Sequence, residues 1–320
     1  MVNTRYMRTY PAAAAILSAI MLATPSTMQA QCCGAGNPVS SANNESSVKK
    51  NNLLVSLDYR HSESDRYYEG SHKSEFDFPG KIRKTGYDFL SFGIGYGITS
   101  RLTAQMQVGY YIDKYEHYQS DLFPDVSASG FGDLSLSLNY AVYRNIRKGI
   151  TINPYISVKF PIGKFDCVSD GVKLPISMQP SSGSYKYAAG FFASWSASKK
   201  LRFTTDNFFE YAQRIKSRNF DYQYGSLFYA SLGGFFRLLK PLDAGLLIAY
   251  ETKGRAKSDN KPLFGTRYHQ LKIIPSVNAY PAKNIALTLQ ADIPVWRKME
   301  AIQMGNSWAI ETKITYNIKL

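Results

Sequence analysis

The chain has 320 residues, a formal net charge of +14, three cysteines, four histidines and 14% aromatic residues, among them 24 Tyr and 18 Phe. Its cysteines and histidines are scattered without metal-ligand spacing, so neither a metal nor a cofactor is expected. Beyond the N-terminus no run of about 18 apolar residues occurs, which argues against a mature protein that crosses a membrane by helices, and no nucleic-acid module accompanies the basic charge.

The N-terminus reads "MVNTRYMR", then the apolar "PAAAAILSAIMLATPST", then "MQA". A basic start, a short hydrophobic stretch and a small residue at the cut make a secretory signal peptide over residues 1–30, cleaved after Ala30. Met28 fits the small-residue rule poorly, but the stretch is short and broken by Pro25, which disfavours a membrane anchor. Cleavage removes Arg5 and Arg8 from the total of +14 and leaves +12. For an exported chain, that balance suggests phosphate-bearing lipid headgroups or an anionic solute as neighbours. Residues 31–50, opening "QCCGAGNP", read as a periplasmic lead-in or a lumenal plug. An oxidising compartment makes Cys32, Cys33 and Cys167 candidates for a disulfide.

From residue 51 onward, apolar and polar residues alternate with period two, the signature of strands with one apolar face. The candidate strands cover 53–59, 90–98, 102–112, 134–142, 152–160, 187–195, 201–211, 228–238, 242–250, 271–279, 285–295 and 308–320. Their connections alternate in length. Short ones are "GITS", "RNIRKG", "ASKK", "LKP" and "PAKN"; long ones span 61–84, 113–129, 163–183, 213–224, 254–265 and 298–306. Short turns on one rim, long loops on the other and an even strand number are the layout of a bacterial outer-membrane barrel.

A soluble sandwich also alternates, but three features favour the membrane. The apolar phase of these strands carries no charge, whereas the opposite phase carries Asp58, Arg60, Asp133, Lys159, Asp243, Glu251 and others. The strands suit a tilted crossing better than a soluble strand of about 5–6 residues. Tyrosines such as Tyr59, Tyr110, Tyr140, Tyr250 and Tyr280 fall near strand ends, as in an aromatic girdle. The expected fold is therefore all-β: a twelve-stranded antiparallel transmembrane barrel over 51–320, polar phase inward and both termini periplasmic.

Twelve strands enclose a narrow interior. Asp133, Lys159, Arg202, Glu210, Glu251 and Lys313 are the candidate lumen-lining residues, with ion pairing that merely stabilises as the plainer reading of the same charges. Pro154, Pro161, Pro275 and Pro294 interrupt strands where ladder donors are wanted, so each should mark a bulge or gap. They are candidate kinks of a lateral gate.

Three stretches, "GFGDLSLSLNYAV", "ISVKFPIG" and "QPSSGSYKYAAG", carry a family resemblance across residues 84–320. The chain resembles the outer-membrane transporter family associated with phenol meta-cleavage pathways, itself similar to hydrophobic-compound channels; the "QCCGAGNP" start looks like that of exported barrels from Bacteroidetes-type bacteria. Ile162 stands where that family often has threonine, and Ser182 replaces a glycine. The resemblance implies a channel or transporter passing small aromatic or apolar molecules. Its partners would be the solute, outer-membrane lipids including lipopolysaccharide, and the barrel-assembly machinery. Other readings are a structural or adhesion barrel acting through its loops and an outer-membrane lipid hydrolase. For the hydrolase, "HKS" (His72 to Ser74) has a suitable spacing but lies in a polar loop, while His61 and Ser62 are adjacent and would point to opposite faces. The chain is not expected to be an enzyme.

Overall fold

The computed structural model describes residues 48–75, 77–78, 80–169, 171–217 and 220–320. The expected signal peptide, Cys32 and Cys33 lie outside the described residues. Twelve long strands form the wall: β1 (Asn52–Ser64), β2 (Ile82–Gly97), β3 (Leu102–Tyr118), β4 (Val126–Tyr140), β5 (Ile150–Phe160), β6 (Lys186–Ser196), β7 (Leu201–Ala212), β8 (Leu227–Leu239), β9 (Leu242–Lys253), β10 (Tyr268–Ala282), β11 (Ile285–Gly305) and β12 (Trp308–Lys319). Each pairs antiparallel with its sequence neighbours, and β1 pairs with β12 from Asn52↔Lys319 to Glu63↔Trp308. The twelve-stranded wall therefore closes on itself.

The faces are inverted relative to a soluble protein. On β4, Leu136 and Leu138 are 40% and 45% exposed while the adjacent Asn139 is 2% exposed. Phe191, Trp195, Leu232, Ile248 and Leu289 are likewise exposed; Asp206, Glu251, Lys272 and Asp292, on the opposite phase, are buried. Such an apolar belt around the whole circumference is far larger than a soluble surface carries. It fits hydrocarbon, where the closed ladder satisfies the backbone.

The strands reach further than the alternation suggests. β1 continues to Ser64, β3 to Tyr118 and β11 to Gly305, so much of the expected loops 61–84, 113–129 and 298–306 is strand. Arg66–Gly70 extends the sheet by pairing with the far end of β11, Tyr68↔Gln303. Past the bilayer both faces meet water or protein, so polar-apolar alternation fades while backbone pairing continues. Two further long connections build a small sheet from Ile215–Ser217, Phe220–Gln223, Lys257–Ser258 and Lys261–Pro262.

The prolines sit at breaks in the ladders. The β4–β5 ladder ends at Asn139↔Tyr155, and pairing resumes through Tyr143–Asn145 at Tyr143↔Ile152, which places Pro154 in the gap. Pro161 directly follows the last residue of β5. Between β10 and β11 the partners pass from Ile273↔Ile293 to Ser276↔Gln290 around Pro275, and the register shifts between Leu271 and Lys272 opposite Pro294.

Both described ends lie on the short-turn rim, where the Leu320 N–H donates to the Asn51 carbonyl at 3.0 Å. Val48 is buried, and its N–H donates to Thr103 Oγ1 at 3.0 Å on the inner wall.

Candidate functional site

The three short motifs of β4, β5 and the β5–β6 connection meet at one place inside the barrel. Asp133, from "GFGD", accepts hydrogen bonds from Ser181 Oγ (2.7 Å), Ser182 N–H (3.0 Å) and Ser182 Oγ (2.6 Å) of "QPSSGS". Gly163, from "FPIG", packs so closely against "GFG" that a Cβ there would lie 1.7 Å from the Phe131 carbonyl oxygen. Gly183 turns the loop with φ +64°, a conformation that suits a residue without Cβ.

The loop is fixed from several other strands. Lys114 Nζ on β3 donates to the Gln179 carbonyl (3.1 Å), and the Tyr224 hydroxyl donates to that of Ser182 (2.9 Å). Gln179 is 1% exposed and folds the loop upon itself: its Oε1 accepts from Cys167 N–H (2.9 Å), and its Nε2 donates to the carbonyls of Cys167 (3.1 Å) and Leu174 (2.9 Å). Met178, Leu174 and Ala128 form a small apolar core beneath it. Cys167, one of the three candidate disulfide residues, is a half-buried free thiol among the described residues.

Beside this strap, a small solvent-open recess is lined by Phe89, Gln107, Tyr111, Asp133, Lys159 and Pro180, among others. The interior is less uniformly polar than the alternation suggests. Phe89 and Tyr111 pack at 4.7 Å between ring centroids, and Phe208 stacks on Tyr229 at 5.2 Å. Tyr229, Ala249 and Ile274 form a buried cluster with Phe208 and Leu247. In "FF" (Phe208, Phe209) and "GLLIA" neighbouring residues on both phases are apolar, so the inward members of each run escape an alternation count.

The inward charges neutralise one another across strands. Arg60 binds Asp292 (2.7 Å) and Glu311 (2.8 Å) and donates from Nε to the Tyr87 hydroxyl (3.1 Å). Lys272 lies 2.9 Å from Glu251 and 3.6 Å from Asp292, and Lys313 lies 3.5 Å from Asp58. Glu251 also accepts from the Tyr268 hydroxyl (2.6 Å) and Gln270 (2.8 Å). On the opposite wall Glu210 pairs with Lys159 (2.8 Å) and faces Lys186 at 4.0 Å. Arg202 stacks over the Phe235 ring at 4.8 Å, with its Nε buried and unbonded.

All six candidate lining residues thus face the interior, five held by side-chain pairs or hydrogen bonds and Arg202 by a ring. Lys114, Gln179 and Tyr224 were not named from the sequence, and Arg60 was named there as an inward charge but not among the lining candidates. Gln179 and Tyr224 act from loops, where no periodicity marks them. Of the His61–Ser62 pair, Ser62 is buried inward at 1% exposure, whereas His61 contacts Asp88 (2.8 Å) and Trp308 away from it.

On the long-loop rim, outside the membrane span, Arg214 hydrogen-bonds Asp221 and holds its carboxyl below the ordinary range. The His117 ring does the same for Asp125 at 2.6 Å.

No family model and no curated protein matches the chain. Among solved structures it is similar to an outer-membrane channel from Pseudomonas putida F1, with TM-score 0.70 and 14% identity, over 88% of this chain and 100% of that one. The NanC porin gives TM-score 0.45 and 12% identity over 84% and 100%, and LpxR from Salmonella typhimurium 0.42 and 9% over 83% and 99%. The first of these likenesses, with the closed sheet and its apolar belt, makes the chain a transmembrane β-barrel of the bacterial outer-membrane type.

Proposed function

We propose that the barrel is a channel for passive diffusion of small molecules, aromatic or apolar ones in particular, across the outer membrane. The observation that carries this reading is the lumenal recess in which Phe89 and Tyr111 stand beside Asp133 and Lys159, charges already engaged by Ser181, Ser182 and Glu210. A weakly polar solute meets aromatic surface there without having to displace the ion pairs. The family resemblance of the three motifs supports the same direction. In this reading both termini and the short turns are periplasmic, lipopolysaccharide surrounds the opposite rim, and the barrel-assembly machinery inserts the chain.

The β10–β11 seam, with Pro275 and Pro294 at its irregularities, is the proposed lateral exit for an apolar solute. Single-channel conductance in planar bilayers, with phenol and benzoate as candidate solutes, tests the channel; solute-dependent current blocks and release from loaded liposomes are expected. A barrel that neither conducts nor releases solute overturns the reading. Uptake unchanged in the Pro275→Ala, Pro294→Ala double variant removes the lateral exit alone.

A further inference from the structure

The excess positive charge of this protein is concentrated on one rim. The connections between β2 and β3, β4 and β5, β6 and β7, β8 and β9, and β10 and β11 read "ITSR", "AVYRNIRKG", "ASKK", "KP" and "KN". Each carries at least one Lys or Arg and none carries an Asp or Glu. Arg101, Arg147, Lys148, Lys200, Lys240 and Lys283 are all exposed. Lys49, Lys50 and Lys319 add to the same rim at the chain ends. The opposite rim mixes signs and pairs them, Arg214 with Asp221 and Arg255 with Glu300. Inside the wall most charges pair as well, with Arg202 set against the Phe235 ring instead. The largest unbalanced group is a ring of cations at the turns.

Directly beside this ring stands a second one. Tyr96, Tyr140, Trp195, Phe236 and Tyr316 are 38%, 44%, 50%, 47% and 42% exposed on the lipid-facing phase. Each precedes a turn cation by a few residues: Tyr96 before Arg101, Tyr140 before Arg144, Trp195 before Lys199, Phe236 before Lys240, Tyr316 before Lys319. Amphipathic rings settle at the headgroup level of a bilayer, and long basic side chains beside them extend toward phosphate. An aromatic level capped by uncompensated cations is complementary to a leaflet of net-negative headgroups.

We propose that the short-turn rim is a binding collar for anionic glycerophospholipids, which it selects over zwitterionic ones through their net charge and phosphate oxygens. The shared ligand chemistry is phosphate; the source is the lipid leaflet rather than dissolved phosphate, because the aromatic ring positions the cations at the edge of the hydrocarbon. This surface does not depend on what passes through the lumen.

The test uses the mature barrel, folded in nanodiscs of equal phosphatidylglycerol and phosphatidylcholine, released into detergent and weighed with its retained lipids by native mass spectrometry. Retained phosphatidylglycerol should exceed phosphatidylcholine about tenfold in low salt, with the preference shrinking at high ionic strength as screening sets in. The variant Arg144→Gln, Arg147→Gln, Lys148→Gln, Lys199→Gln, Lys200→Gln should bring the ratio close to one, while Lys257→Gln, Lys261→Gln on the long-loop rim should leave it unchanged. Equal retention of the two lipids by the unaltered protein overturns the proposal. So does an equal loss in both variants, or saturable binding of inorganic phosphate without a lipid preference. If the five-site variant does not fold, the lipid ratio and salt titration of the unaltered barrel decide.

Discussion

Asp133 and Ser182 are joined twice, the Ser182 hydroxyl donating to Oδ2 at 2.6 Å and its N–H to Oδ1 at 3.0 Å. A loop residue is thereby tied to the barrel wall by both its side chain and its backbone. Ser182 stands where the resembled family has glycine, and a glycine could supply only the second bond. In this chain the strap carries an extra fastening.

Asp133→Ala should release the strap. Hydrogen bonds to a charged group are worth about 1.5–3 kcal/mol each, and the serines it leaves behind lose a strong acceptor. The expected outcome is a higher and noisier single-channel conductance with the β-sheet intact by circular dichroism. Ser182→Gly should give a milder change of the same sign. Unaltered current in both variants would show that the strap does not limit flow.

Arg60→Met should be the most damaging substitution in the wall. It leaves Glu311 buried without its cation and Asp292 with Lys272 alone at 3.6 Å, at a cost of about 3–5 kcal/mol. Urea unfolding in lipid vesicles measures this. Adding Asp292→Asn and Glu311→Gln should recover part of the loss, because the stranded charges disappear.

Leu136→Arg and Ser137→Arg, adjacent on β4, should differ sharply. The first puts a charge on the lipid face, costing about 2–4 kcal/mol near the bilayer midplane. The second points inward among Gln105 and Asn139 and should reduce conductance instead of folding yield. Equal folding yields for the two would contradict the assignment of faces.

The alternation of twelve segments carried the architecture plainly, because lipid on one side and polar lumen on the other impose the same two-residue rhythm on every strand. Leu136, Ser137 and Leu138 could be placed without coordinates. Tyr115 and Glu116 could not: beyond the bilayer that rhythm no longer constrains the sequence, and what reads as loop is strand. The site was half legible. Asp133 and Lys159 stood out as charges on the inward phase, whereas Gln179 and Tyr224 come from loops whose path depends on contacts distant in sequence. Phe208 was hidden by its apolar neighbour Phe209.

Acid should loosen the outer loops. The Asp221 carboxyl is held below its ordinary value by its hydrogen bond to Arg214, and that of Asp125 by His117. A depressed folded-state value means that the contact is fully present above the ordinary carboxylate range. It is lost as pH falls through the depressed value. Limited proteolysis within 213–224 should therefore accelerate in strongly acidic buffer with an acid-tolerant protease. Asp221→Asn should already be cut fast near neutrality, with little further change on acidification.

The unbroken β1–β12 ladder has a consequence for how the molecule is made. Asn52 Nδ2 donates to Asn317 Oδ1 at 2.7 Å, joining residues 265 positions apart. No hairpin can form this seam early, since its two strands are the first and the last of the twelve that build the wall. Contacts of such long sequence separation form slowly. Until they form, β1 shows a full row of unpaired donors and acceptors, the kind of edge that recruits foreign strands. Ring closure is thus the step at which this chain is most exposed to pairing with the wrong partner.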